Sequence, residues 1–385
     1  SVGGGTTLAT NGNAIDIDGS LTGAGGVTAG ASTINIGTDM SLSGTWTANT
    51  SRVIFDTATN GSVNSYTFNE VEIAKTAEVD TLTATGDWTV GSLTLTSGTW
   101  IAGNNTHQIG GGWDSTDPDF ALTEGGSTIQ LTTGDPSIAT EGLTDAFNNL
   151  TLDDGGTLGS DVAVSGTLDH QGATALSGAA QTLRVNGATL GSDISFSGAG
   201  TVEFTGAGSV SLSAASDVTV ADGTITLDNP VDGGSAFSAD AGTTSGTINV
   251  DAVLGATLTS VSLTAGTINL GANVTTAGGT LTLDGAVVLT ADTTVSSGAG
   301  GGNISFTSTV DDDTTGPWSL TASAGTGSVS FGGVVGTGPA AGERPNTLTV
   351  DGDAGVSLGA AVYLVGDLSV GGGTTLATNG NAIDI

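Results

Sequence analysis

Residues 1–17, SVGGGTTLATNGNAIDI, recur letter for letter as residues 369–385. Ser1 returns as Ser369, an offset of 368 residues. A match of this length without a single substitution is the mark of a tandem array. The chain reads as a window on that array, running slightly past one 368-residue unit. Repetition at fixed period points to solenoids and arrays. Large near-identical units suit a structural material better than a catalyst.

A finer pattern lies inside the long one. STINI (32–36), TLTAT (81–85), SLTLT (92–96), TLRVN (182–186), TITLD (224–228), TLTLD (280–284) and TLTVD (347–351) each alternate Val, Ile or Leu with Thr, Ser or Asn. Period two predicts short strands with one buried face. For TITLD it predicts Ile225 and Leu227 inward, with Thr224 and Thr226 outward. A Gly-initiated form of this strand starts at Gly200, Gly223, Gly246, Gly266, Gly279, Gly302 and Gly327. Five of the six steps fall near 20–25 residues, and the step of 13 from Gly266 to Gly279 suggests a neighbouring face. SRVIFDTATNG…YTFNEVEI (51–73) also echoes STIQLTTGDPS…AFNNLTL (127–152).

Strands of this length are unstable alone and complete their hydrogen bonding on the equivalent strand one coil away. The reading is therefore all-β: a right-handed parallel β-solenoid (β-helix) forming an elongated rod. With no composition break or linker, residues 1–385 read as one continuous domain. Coils of 20–23 residues at about 4.8 Å each give about 16–18 coils and roughly 75–90 Å per unit. Antiparallel sandwiches also show evenly spaced short strands; the recurrence of one strand type favours the solenoid. The 66 glycines fit chain corners, where Asn and Asp also accept left-handed backbone. Aromatics at 4% predict a slim interior of stacked aliphatic side chains.

Charge narrows the partners. Asp and Glu number 38 against Arg52, Lys75, Arg184 and Arg344, for a net charge of −34. That excludes a basic footprint for nucleic acid and makes divalent cations natural partners. There is no cysteine, so no disulfide framework or thiolate metal site. No apolar run reaches the ~18 residues of a membrane span. The composition, and the lack of a signal peptide or initiator Met, fit an internal piece of a secreted or surface protein.

FNEVEIAKTAEVDTLTATGDWTVGSLTLTSGTW (68–100) and GGNISFTSTVDDDTTGPWSLTASAGTGSVSFGGVVG (301–336) resemble the strand repeats of large bacterial surface proteins, among them filamentous-haemagglutinin-like adhesins and autotransporter passengers. The resemblance covers most of the chain. It implies a right-handed parallel β-helix, an extracellular or cell-surface location and a structural or adhesive role. It carries over no functional residue.

Candidate chemistry is sparse. Asp114, Asp117 and Asp119 sit in a turn-like loop that can offer three oxygens to Ca²⁺, and Asp311, Asp312 and Asp313 sit in a second loop before Pro317 and Trp318. Both are also what a solvated acidic turn looks like, and no EF-hand or calcium-roll pattern is present. His107 and His170 read as surface or turn residues. Outward Thr-x-Thr steps (Thr81-Thr83, Thr94-Thr96, Thr224-Thr226, Thr280-Thr282) resemble ice-binding arrays, but Thr also suits any exposed pleated face. Trp46, Trp88, Trp100, Trp113 and Trp318 are either sugar platforms or core and coil-end residues. Arg184 reads outward. No catalytic or cofactor-binding residue stands out, and no enzyme activity is expected.

The resulting expectation is a structural repeat of an extracellular fibre or giant surface protein, stacking on identical units end to end in the same chain or in head-to-tail copies. The alternatives are an adhesin for glycans or surfaces and, third, a carbohydrate-active β-helix enzyme.

Overall fold

Alternating apolar and hydroxyl residues make strands mostly of three or four residues, and each takes its partners from the coils before and after it. The computed structural model describes residues 1–144, 146–336 and 343–385. Contacts divide the chain into two compact bodies, Ser1–Thr174 and Ala175–Ile385. Each is a parallel β-solenoid; the two together hold about 18 turns.

In the first body, Ile15, Ile34, Val53, Val71 and Leu93 stand in one column. A second column runs Phe68, Val90, Ile109, Leu131, Leu152, His170. Leu82, Trp100 and Leu122 belong to a third. Strand Trp88–Ile101 passes through all three. The second body repeats the plan. Its columns run Leu183, Val202, Ile225, Ile248, Ile268, Val287, Val310, then Ile194, Val218, Ala239, Leu263, Leu283, Phe306, Phe331, and Val210, Val231, Leu254, Val274, Val295, Ala322, Val350, Val370. Register partners among the described residues lie from 17 residues apart (Phe147 and Val164) to 28 (Ala322 and Val350).

The alternation works as period two requires. Ile225 and Leu227 are fully buried, and Thr224 and Thr226 are half-buried on the outer side. The step of 13 is a change of face: Ile268 belongs to the first column of its body, whereas Leu281 pairs with Val261 on the second. The two echoing blocks sit on different faces. Val53 pairs with Ile34 and Val71, but Ile129 pairs with His107 and Leu150 on another face. Similar strand sequences therefore occupy different sides of the coil.

Glycine at the strand start has a steric reason. A Cβ on Gly302 would lie 1.9 Å from the Gly279 carbonyl oxygen, and one on Gly327 would lie 2.4 Å from that of Gly302. The coils approach too closely there for any side chain. Among the described residues, the non-glycine positions with left-handed backbone are Asn11, Asn49, Asp135, Asp222 and Asn379. All are Asn or Asp, as the corner argument predicts.

The interior is mostly aliphatic, with aromatic clusters in places. Trp88, Trp100 and Trp113 are buried and stack at 5.2 and 6.0 Å, joined by Phe55 and Phe147. None of the three is a register partner of another: Trp88 pairs with Tyr66 and His107, Trp100 with Leu82 and Leu122, and Trp113 with Ile138, so the rings meet across the interior from different faces of the coil.

Candidate functional site

The two acidic loops are largely self-satisfied. Asp114 is the middle residue of strand Trp113–Ser115 rather than part of a loop; its side chain is exposed, and its Oδ1 accepts the Thr116 N–H (3.1 Å) and hydroxyl (2.7 Å). Asp117 Oδ1 accepts the Asp119 N–H at 3.0 Å. In the second loop, Asp311 and Asp312 end strand Val310–Asp312 rather than lying in a loop. Asp312 takes the inward position below which Leu289 stands, and is 4% exposed. Its Oδ2 accepts the Trp318 N–H at 3.1 Å, and burial pushes its carboxyl above the usual range. Asp313 turns outward and accepts from Thr315, Gly316 and the Trp318 indole, which hold its carboxyl low. Among the described residues, no three His, Asp or Glu side chains converge as a metal centre.

Elsewhere the carboxylates serve the backbone. Asp39 Oδ1 accepts the Ser62 N–H (2.9 Å) and hydroxyl (2.8 Å) one coil on. Asp87 and Asp292 accept the N–H groups of Thr106 and Ser319, and the amide oxygens of Asn186 and Asn303 accept those of Ala207 and Ser328, at 2.8–3.0 Å. Each oxygen satisfies a corner N–H where the strand ladder is interrupted. The sequence reading missed this device. Its signal is an Asp or Asn about one coil before a strand's first residue.

All four basic side chains are engaged. Arg52 pairs with Glu70 (3.1 Å) and Glu72 (2.6 Å), and the outward Arg184 with Glu203 (2.6 Å). Arg344 pairs with Asp384 (3.3 Å) and lies over the Tyr363 ring. Lys75 is buried and donates to the carbonyls of Gly37 (2.9 Å) and Thr59 (3.0 Å); burial lowers its pKa, against the pull of Asp56, Asp80 and Asp39.

His107 and His170 are fully buried, not surface residues. His107 lies between Trp88 and Trp100, its Nε2 3.0 Å from the Ala102 carbonyl, and burial lowers its pKa. Both occupy inward positions of their strands, alternating with Ile109 and Leu168. Trp88, Trp100 and Trp113 are core residues, while Trp46 and Trp318 are half-buried. Thr182, Thr201, Thr224, Thr247 and Thr267 form one outer file, but its neighbour reads Arg184, Glu203, Thr226, Asn249, Asn269. A double threonine file is not formed there. No helix among the described residues is long and apolar enough to cross a membrane.

The repeated 17-mer folds the same way twice. Gly5, Asn11 and Gly12 have φ of 74°, 56° and 81°; Gly373, Asn379 and Gly380 have 89°, 53° and 84°. The copies differ in which edge is covered. Residues 1–17 pair forward: Val2 with Gly23, Leu8 with Val27, Ile15 with Ile34. Residues 369–385 pair backward: Val370 with Val350, Leu376 with Val356, Ile383 with Val362. Comparison with family models, with curated proteins and with solved structures finds no match in any of the three.

Proposed function

We propose that this chain is a structural repeat of an extracellular fibre or giant surface protein, in which 368-residue units continue one another coil upon coil. One observation carries the reading: a single 17-residue coil is held from above in one copy and from below in the other, in the same backbone conformation. Superposing the copies leaves every strand of that coil with a partner on both sides. The engagement of all four basic side chains speaks against a groove for acidic polysaccharide, and the cysteine-free acidic composition suits a location outside the cell. Mechanical stiffness then comes from continuous backbone ladders around a packed interior. Electron microscopy of the protein should show filaments with an axial repeat of about 75–90 Å, the length of one unit at about 4.8 Å per coil. A population of isolated short particles at all concentrations would sink the reading.

A further inference from the structure

Of the non-glycine residues with left-handed backbone, Asp135 alone is followed by proline; Asn11, Asn49, Asp222 and Asn379 precede Gly12, Thr50, Gly223 and Gly380. Proline drives the residue before it toward extended backbone, and a φ of 50° at Asp135 opposes that preference. The fold holds this residue in a conformation its successor resists, which stores strain at one peptide unit. We infer that Asp135–Pro136 is a self-cleaving bond, at which the Asp135 carboxyl severs its own link to Pro136 in mild acid.

The step needs nothing but water. Oδ2 of the Asp135 carboxyl adds to the backbone carbonyl carbon of the same residue and closes a five-membered ring. The C–N bond to Pro136 breaks, and the carboxyl proton passes to the leaving nitrogen. The cyclic anhydride then takes up water and reopens as the Asp135 side-chain carboxyl and a new C-terminal carboxyl. One peptide bond and one water are consumed; one carboxyl and one secondary amine appear. Proline suits the leaving side, because its nitrogen is a tertiary amide with no N–H.

The chain has a second bond of this kind, Asp117–Pro118, and the structure separates the two. Asp117 has no left-handed φ, and its Oδ1 accepts the Asp119 N–H at 3.0 Å within its own turn. At the other bond, Thr157 of the next coil grips both sides. Its hydroxyl donates to Asp135 Oδ1 at 2.8 Å, and its N–H donates to the Pro136 carbonyl at 2.9 Å. Attacking carboxyl and departing residue are thus fixed relative to each other, as an intramolecular reaction requires. Asp135 is exposed, so water reaches the ring. Asp154 faces the same loop from the next coil: its Oδ2 stands 3.2 Å from where a Cβ on Gly134 would lie, and its Oδ1 accepts from Thr174. The cut leaves the coil in place, because strands Thr128–Leu131 and Ser137–Thr140 on either side stay paired with Asn149–Leu152 and Gly156–Leu158. The product is a nicked solenoid.

The test uses the full chain, folded, at about pH 4, near the ordinary carboxylate value, with intact masses read after denaturation. Pieces 1–135 and 136–385 should form at least about tenfold faster than 1–117 and 118–385, while native gel filtration still shows one particle. In denaturant at the same pH the two bonds should break at like rates. Asp135→Asn keeps an acceptor for Thr157 and tolerates left-handed backbone; it should abolish the cut at 135 and spare that at 117. Thr157→Val should slow the 135 cut to the rate of the 117 bond, and Thr157→Ser should preserve it. Equal rates at the two bonds of the folded chain, no cut at 135, a cut at 135 in Asp135→Asn, or a Thr157→Val chain cut as fast as its parent overturns the inference.

Discussion

At the scale of single residues, the abundance of Asp is largely explained by the backbone. An aspartate at a corner replaces a missing ladder acceptor, and the bond pays in the folded state only while the oxygen is present. Asp39→Ala should therefore lower stability by about 1 kcal/mol, while Asp39→Asn retains an acceptor and should recover most of it; thermal melts of the pair check this. Gly302→Ala drives a methyl group into the Gly279 carbonyl. It should destabilise by more than the ~1 kcal/mol that a Gly→Ala change gains where the backbone tolerates it, seen as a fall in denaturation midpoint without change of slope. Some of this was legible. The corner role of Gly, Asn and Asp follows from their backbone preferences. The interior histidines were not, because residue type suggested surface while position in an alternating strand dictated the interior.

At the scale of elements, the strands combine two opposed sets of carboxyls. In Asp39 and Asp232, hydrogen bonds from Ser62 and Thr257 lower the pKa. Their contribution is present above the unfolded value and is lost as pH falls through the folded one. Asp56, Asp217 and Asp228 are raised, chiefly by burial and then by Asp16, Asp193 and Asp251 on nearby coils. These penalise the ionised fold, and the penalty is relieved as pH falls through their raised values. Stability should therefore rise from pH 7 toward the region just above the ordinary carboxylate value of about 4, then drop below it. Melting temperatures across that range test the sign. The aromatic stack is the other element-scale feature. Trp100 is sandwiched between Trp88 and Trp113, so Trp100→Ala should cost about 3–5 kcal/mol and expose neighbouring tryptophan fluorescence. Alternation showed which positions turn inward, but not that three tryptophans meet in the interior: their neighbourhood depends on coil lengths, which vary from 17 to 28 residues.

At the scale of the whole molecule, association sets ladder completion against charge. Copies carrying −34 each repel. Raising NaCl from about 0.01 to 0.15 M shortens the screening length from about 30 to 8 Å, and should promote end-to-end growth in light scattering. Divalent cations, the partners this charge calls for, should add lateral bundling beyond NaCl at equal ionic strength; identical scattering curves would remove them from the account.

The sequence by itself determined the parallel coil, its inward and outward positions, its corner residues and the repeat. Each follows from local rules of spacing and backbone preference. Only the tertiary structure decided which strands share a column, because the same Gly-initiated motif serves different faces. It alone turned the polar His107, His170, Lys75 and Asp312 inward, and committed the corner carboxylates to the N–H groups of the next coil. Those outcomes depend on how many residues each turn consumes, a length summed along the chain that no short pattern encodes.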